Sequence, residues 1–151
     1  MLIMSTRAAR RPPASAAFLA IVQAAEELQR GMAELLKTRD LSMAQYNVLR
    51  ILRGAGPEGA TCSDVGDNLV RHDPDVTRLL DRLDKRGLID RARDTKDRRV
   101  VRTRITKAGA ALVGELDDPV DELHARQLGH VGSKRLADLV AVLDETRAKL
   151  P

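Results

Sequence analysis

The pattern of apolar and polar positions divides most of the chain into helices. Over residues 15–38 apolar side chains recur at steps of three and four, which predicts an amphipathic helix, and its apolar stripe is long for the first helix of a small domain. A second helix is predicted to begin near residue 41, because Ser42 and Gln45 fit a capping box. It should end before three residues that break helices, namely Gly54, Gly56 and Pro57.

The middle of the chain predicts two short helices joined by a tight turn. An extended piece over 59–62 precedes a short helix over 63–70, and residues 71–73 form the turn. A second short helix is predicted over 74–86. Its apolar residues fall on one side and its charged residues on the other, so one face can enter the core while the other meets solvent.

The residues that flank helix 74–86 set its predicted boundaries. Asp73 is the predicted N-cap, Pro74 takes the first helical position, and the negative charge of Asp75 suits the first turn. Gly87 is the residue expected just past the end. The inner face is predicted to consist of Val76, Leu79, Leu80 and Leu83.

A hairpin and a final helical region complete the pattern. Two strands are predicted over 88–93 and 99–105, joined by a charged turn, and Thr106 caps the helix that follows. Two interruptions are expected in the final region: a kink or break at Pro119, and a break over Gly129–Gly132 before the last helix starts at Ser133.

The order of elements predicts a mainly α fold of the α+β class with a winged helix-turn-helix at its centre. Phe18 and Tyr46 are the only aromatic residues, so the core must be aliphatic, which favours helices packed on helices. We expect one domain over 15–151, preceded by a disordered basic leader over 1–14. The net charge of +4 and the isoelectric point near 9.6 are compatible with a nucleic-acid partner.

Cysteine content and hydropathy indicate the cellular compartment expected for the protein. Cys62 is the only cysteine, which excludes an internal disulfide and makes a cytoplasmic location the expectation. No apolar run approaches the length of a transmembrane helix. We therefore expect no membrane partner.

Helix 74–86 has the length and polarity of a recognition helix, whose first turns reach base edges in the major groove. The side chains in that position are Asp75, Thr77, Arg78 and Arg82. Thr77 suits a phosphate or a thymine methyl group, and Arg78 suits bidentate binding to guanine. Asp75 is unusual beside phosphates. It could accept from cytosine N4, orient a neighbouring arginine, or cap the helix.

The hairpin is strongly basic. Seven basic side chains lie from Arg91 to Arg104, and side chains alternate between the two faces of each strand, so one face can pack while the other stays basic. The tip carries Lys96, Arg98 and Arg99, which suit the negative potential of a narrow minor groove. Asp94 and Asp97 are predicted to brace this loop through charge-assisted hydrogen bonds. The alternative is a solvated hairpin without a partner.

The run LVRHDPDVTRLLDRLDKRGLIDRARDTKDRRVVRTRITKAG, over 69–109, resembles the core of the MarR family of transcriptional regulators. Three pieces carry the resemblance: VTRLLDRLDKRGLI, the D-x-x-D-R-R wing, and the I-T-x-x-G start of the next helix. The resemblance implies a homodimer joined by helices 15–38 and 107–150, with a DNA-binding lobe at about 41–105. It also implies binding to pseudo-palindromic double-stranded operators, usually as a repressor, and no cofactor.

By the same resemblance, Arg99 or Arg98 would enter the minor groove with Asp97 as its brace. Many relatives respond to small aromatic ligands or to cysteine oxidation. The resemblance therefore admits a small-molecule effector, in an aliphatic rather than an aromatic pocket, since aromatic residues are almost absent. Cys62 lies away from the start of the first helix and is expected to be a buried structural residue rather than a redox sensor.

Other kinds of site have little support in the sequence. The three histidines are His72, His124 and His130, whose spacing does not suit a zinc site, and His72 is expected to touch a phosphate or solvent. No phosphate-binding glycine loop or catalytic triad is present, so we do not expect an enzyme. The alternative function is a winged helix that docks an acidic protein partner through its basic face.

Overall fold

A computed structural model describes residues 12–70 and 73–150. Most of the predicted leader, and residues 71 and 72 of the predicted turn with His72, therefore lie outside the described residues. The elements are α1 (Pro13–Lys37), α2 (Met43–Ala55), α3 (Cys62–Asn68), α4 (Val76–Lys85), β1 (Ile89–Arg93), β2 (Val101–Ile105), α5 (Lys107–Leu128) and α6 (Ser133–Lys149). This order confirms the predicted mainly helical fold with a small hairpin.

Side-chain caps define the starts of the two helices that follow α1. The Ser42 hydroxyl accepts from the Gln45 amide at 3.1 Å, and the Ser42 amide donates to the Gln45 side chain at 3.0 Å, which confirms the predicted capping box. Thr61 and Asp64 form a second box in the same way. Because Thr61 is the cap, α3 begins at Cys62, one residue before the predicted start.

The prediction for the start of α4 was wrong by two residues. Asp73 is not the N-cap, because its carboxylate accepts instead from the amide of Asp75 at 2.8 Å and so holds Pro74 in a turn. Asp75 caps the helix by accepting from the amide of Arg78 at 3.0 Å. The other end agrees with the prediction, since Gly87 adopts a positive φ of 68° just past the last turn.

Each strand of the hairpin begins later than predicted, at 89 rather than 88 and at 101 rather than 99, and the register decides which side chains face the core. Ile89 pairs with Ile105, and Arg91 pairs with Thr103. Ala60 adds a bridge to this sheet, because it exchanges two backbone hydrogen bonds with Thr103 at 2.8 and 2.9 Å. Thr103 is 1% exposed, so the middle of β2 is enclosed on its inner face.

Helix α5 is not broken at Pro119. The helix runs without interruption from Lys107 to Leu128, with Leu116 and Val120 buried on either side of the proline. Packing of these residues outweighs the one hydrogen bond that a proline removes from a helix interior. The predicted break at Gly129–Gly132 is confirmed, because a short 3-10 turn over Gly129–Val131 separates α5 from α6.

The core is aliphatic, as predicted, with Tyr46 as the only aromatic residue among the buried side chains described. It lies between the C-terminal half of α1, helices α2, α4 and α5, and the hairpin. Helix α6 contributes no buried residue. Exposed large apolar side chains remain on α1 and α6, and include Phe18, Ile21, Val22, Leu139, Val140 and Val142.

An ion pair connects the lobe 41–105 to α5. The guanidinium of Arg53 on α2 donates two hydrogen bonds to the carboxylate of Asp117, at 2.8 and 2.9 Å. This bidentate contact with Arg53 lowers the pKa of Asp117 below its usual value. The pair therefore stays charged at neutral pH and orients α2 against α5.

The close approach of α5 to the start of the hairpin gives a stability prediction. A Cβ on Gly109 would lie 2.1 Å from the carbonyl oxygen of Leu88 and 2.8 Å from Ile105. Alanine is the better helix former by about 1 kcal/mol, but the clash with backbone should outweigh this gain. We expect Gly109→Ala to lower the free energy of unfolding by about 1–3 kcal/mol in urea denaturation.

Gly114→Ala is the matched control, because Gly114 lies in the same helix and a Cβ there meets nothing within 4 Å. This variant should be neutral or more stable than the parent protein. Equal effects of the two substitutions would show that the contact between α5 and Leu88 does not limit packing.

Candidate nucleic-acid interface

Helix α4 is held by its apolar face, which turns its polar face outward. Leu80 and Leu83 are fully buried and Leu79 is 6% exposed. The four side chains predicted to read DNA are all exposed on the opposite side, namely Asp75, Thr77, Arg78 and Arg82. Burial of the leucines therefore fixes the rotation of the helix and the direction of these side chains.

Asp75 has two of the three roles that its position suggested. One carboxylate oxygen caps α4, and the other lies 3.2 Å from Nε of Arg78. Arg78 keeps 72% of its side chain exposed in this arrangement. The cap and the orientation of Arg78 thus come from the same carboxylate.

Asp94 braces the wing, which we define as residues 94–99. One oxygen of its carboxylate accepts from the amides of Lys96 and Asp97, at 2.7 and 3.4 Å, and the other accepts from Nε of Arg102. These hydrogen bonds, with that from Arg102 the strongest, lower the pKa of Asp94 to about 2 from an ordinary value of 3.8. The brace is therefore charged and formed at neutral pH.

Asp97 supports the arginine at the end of the wing. Its carboxylate accepts from the amide of Arg99 at 3.0 Å and from Nε of Arg99 at 3.4 Å. Arg99 still has 93% of its side chain exposed, and Lys96 and Arg98 are exposed as well. The wing thus has an ordered backbone and a basic tip that meets solvent.

Three of the four strand arginines are engaged within the lobe, and the fourth, Arg93 at the end of β1, is exposed. Arg91 lies on the same face as Thr103 and donates to Asp81 on α4, whereas Arg102 donates to Asp94. Arg104 donates to the carbonyl oxygen of Pro57 at 2.6 Å. The basic face of the hairpin is therefore concentrated at its tip.

Sequence reasoning missed the role of Arg91. Alternation along β1 placed Arg91 and Arg93 on one face, but only the register with β2 shows that this face is the inner one, which carries Thr103. Asp81 is among the charged residues that the helical pattern placed on the solvent side of α4. The ion pair of Arg91 with Asp81 joins α4 to β1.

Cys62 is half-buried at the start of α3, with its sulfur 3.8 Å from the hydroxyl of Thr77. The described part of the chain contains no group of three or more residues suited to holding a metal ion. Within the same residues, none of the helices is both long and apolar enough to cross a membrane.

A hollow of about 430 Å³ lies between α1, the start of α2 and the residues that flank the turn of the helix-turn-helix. Its lining is largely aliphatic, with Gln29, Ser42 and Asn47 as polar groups and Asp73 as the single charge. Among the described residues that line it, none is aromatic.

Comparisons with known proteins match this architecture. The sequence model described as "MarR family" matches residues 41–101, which contain α2, α3, α4 and the wing. The HTH-type transcriptional regulator FarR of Neisseria gonorrhoeae is 28% identical over 128 residues, which cover 83% of this chain and 86% of FarR.

Two solved structures are similar over most of their length. A MarR transcription factor from Planctomyces limnophilus is 37% identical, with a TM-score of 0.69 and coverage of 89% of this chain and 97% of that one. A mutant MarR from E. coli, solved in complex with operator DNA, is 27% identical, with a TM-score of 0.76 and coverage of 87% and 91%. With a family match over its lobe and a relative at 37% identity across nearly the whole fold, the chain belongs to the MarR family of DNA-binding transcriptional regulators.

Proposed function

We propose that the protein is a homodimeric repressor that binds a pseudo-palindromic operator through two copies of its lobe. In each half-site α4 enters the major groove and the wing 94–99 enters the flanking minor groove. The observation that carries this proposal is the outward row of Thr77, Arg78 and Arg82, beside a hairpin whose exposed basic side chains lie at its tip and at the adjoining end of β1. The polar helix face suits reading of the major groove, and the basic tip suits the minor groove.

The ion pairs give the proposed reader its rigidity. Arg91 connects β1 to Asp81 on α4, so the hairpin and the recognition helix are joined by a charged contact as well as by packing. Asp94 and Asp97 order the loop before it meets DNA. Little ordering entropy then remains to be lost on binding, which favours affinity.

The dimer is proposed from the apolar faces that the single chain leaves exposed. Phe18 on α1 is 65% exposed and Val140 on α6 is 57% exposed. Because α6 buries no residue in the single chain, its apolar side chains gain a core only against another copy. A two-fold dimer would also present two recognition helices, as a pseudo-palindromic site requires.

The hollow between α1, α2 and the turn is the proposed effector site. Its aliphatic lining favours a small aliphatic molecule with one polar group for Asn47 or Ser42, rather than a stacked aromatic ring. Pro74 and Asp73 line the hollow just before α4 begins. A ligand there would act on the start of the recognition helix, which is how it would release the operator.

Operator binding should depend on Arg78 and Arg99 in different ways. We expect Arg78→Ala to reduce discrimination between operator and scrambled duplex, and Arg99→Ala to weaken both and to reduce the salt slope by about 1. The measurement is fluorescence anisotropy of a labelled duplex carrying the intergenic DNA beside the protein's own gene, over a salt series. The parent protein should prefer this duplex to a scrambled one by about 10³-fold or more.

Lys85→Ala is the control for Arg78→Ala, because it removes the same charge from the exposed far end of α4. It should leave discrimination intact. Unchanged operator affinity in both arginine variants would rule out the proposed reading. Docking of an acidic protein partner would then be the better explanation of the basic tip.

Transcription from the bound promoter in a purified system tests the repressor role, since added protein should lower the amount of transcript.

Operator affinity should depend more on the ordering of the wing by Asp94 than on the negative charge of Asp94. Asp94→Asn removes one negative charge and the ion pair with Arg102, so amides 95–100 should exchange faster and operator affinity should fall. Asp90→Asn makes the same charge change at an exposed position on β1 and should not weaken binding. If both variants bind the operator alike, order in the wing is not needed.

The same brace has a defined pH dependence. Because the pKa of Asp94 is depressed to about 2, its contribution is complete above about pH 4 and is lost as the pH falls through 2. The carboxyl carbon of Asp94, followed by NMR, should titrate with a midpoint near 2. A midpoint at the ordinary value of 3.8 would mean that the brace is absent in solution.

The proposed interface predicts a charge-sensitive dimer. Ile21→Asp should dissociate the dimer in analytical ultracentrifugation, because a carboxylate would be buried against the partner helix. Gln23→Asp introduces the same charge about 200° further around α1, at an exposed polar position, and should remain dimeric. Since both positions are exposed in the single chain, neither variant should lose its own helical fold. A dimeric Ile21→Asp would place the interface elsewhere.

A further inference from the structure

Two charged side chains meet where α4 begins, on the face that the proposed function turns toward DNA. The carboxylate of Asp75 accepts from the amide of Arg78 at 3.0 Å, and its second oxygen lies 3.2 Å from Nε of the same arginine. Asp73 in turn accepts from the amide of Asp75 at 2.8 Å, which holds the backbone of the cap in place. Asp75 is half-exposed, so this pair forms in contact with solvent.

This arrangement leaves the outer end of the guanidinium free to read a base. Nε forms an ion pair with Asp75, and the Arg78 side chain makes no hydrogen bond or ion pair with any other described residue. The two terminal nitrogens make no hydrogen bond with the described residues and are available as a fork. An arginine that is held at Nε has fewer orientations than one on a bare helix surface, so its fork is preorganised.

A carboxylate at this place works against general affinity for DNA. Phosphate contacts supply nearly all of the non-specific affinity of a protein for DNA, and a negative charge beside the phosphates is repelled. The chain nevertheless places both Asp73 and Asp75 before the first turn of α4, together with Arg78 and Arg82 around one small hollow. Capping alone does not require an acid, because asparagine and serine cap helices about as well as aspartate.

We propose that Asp75 is a specificity-determining residue that commits Arg78 to a single guanine in each half-site. This inference rests on the proposed function, because it assumes that α4 enters the major groove. Guanine offers two acceptors, O6 and N7, which match the fork, whereas adenine places an N6 donor beside its N7 acceptor. Paired with Asp75, Arg78 has fewer orientations that reach a phosphate or a neighbouring base. Asp75 therefore lowers general affinity and raises discrimination at one base pair.

The test uses the full-length protein and an operator selected from a random duplex library. The guanine read by Arg78 is identified as the position where replacement of G·C by A·T weakens the parent protein but not Arg78→Ala. Discrimination by the parent protein at that pair should be on the order of 10- to 100-fold. In Asp75→Asn it should fall to within about threefold of Arg78→Ala, while affinity for a scrambled duplex rises.

Two variants separate this role from a structural one. Asp75→Asn keeps a side-chain oxygen for the cap, so its thermal unfolding and circular dichroism should match those of the parent protein. Asp84→Asn removes the same charge from an exposed position later in α4. It should raise affinity for scrambled DNA without changing discrimination. Arg78→Lys, which keeps the charge and removes the fork, should lose discrimination as Asp75→Asn does.

The outcomes distinguish this inference from the proposed function. If Asp75→Asn keeps the discrimination of the parent protein, or if no guanine depends on Arg78 although the operator is still bound specifically, the role of Asp75 is overturned and the proposed function stands. If the parent protein binds operator and scrambled duplex alike, both are overturned. A fall in discrimination together with a rise in general affinity is the result that supports Asp75, because loss of helix order would lower both.

Discussion

Burial of the apolar face of α4 is the constraint on which the arrangement of the lobe depends. Leu80 and Leu83 are fully enclosed, and each such side chain contributes roughly 1.5–3 kcal/mol when removed from water. Any rotation of the helix that covered Asp75, Thr77, Arg78 and Arg82 would expose these leucines to water. The direction of these exposed side chains is thus a consequence of hydrophobic packing, and their own polar contacts only adjust it.

Charge is arranged in two classes around this packed helix. The strand arginines Arg91, Arg102 and Arg104 are consumed by contacts within the lobe, to Asp81, Asp94 and a backbone carbonyl. These contacts remove much of the self-repulsion that seven basic groups in one hairpin would otherwise cause. The basic groups at the tip remain exposed to solvent, where they stay charged and accessible.

The outer helices, α1 and α6, leave part of their apolar surface exposed. Helices α1 and α6 carry large apolar side chains that the single chain does not cover, whereas most of the apolar side chains of the lobe are packed in the core. The bidentate contact of Arg53 with Asp117 transmits the position of α5 to α2. In the proposed dimer, the spacing of the two recognition helices would therefore follow from how α1, α5 and α6 pack against their copies.

Most elements could be predicted from the sequence because local rules decide them. Steps of three and four identify α1 and α2, the Ser42–Gln45 box sets the start of α2, and Gly87 marks the end of α4. Local rules were not enough where two solutions compete. Asp73 and Asp75 are both good N-cap residues. Asp75 is the cap in the structure, because the carboxylate of Asp73 accepts from the amide of Asp75 instead. The box of Thr61 and Asp64 was readable from sequence and was missed.

The sequence by itself determined the aliphatic core, the order of elements, and the polar row of α4 with the basic wing. Tertiary structure alone decided which of the basic residues are engaged. The face of Arg91 depends on the register of β1 with β2, and the partner of Arg102 depends on how the wing loop folds back. It also decided that α5 continues through Pro119, since Leu116 and Val120 are buried there. These outcomes arise from contacts between residues distant in sequence, whose free energies exceed the local preferences that a pattern can express.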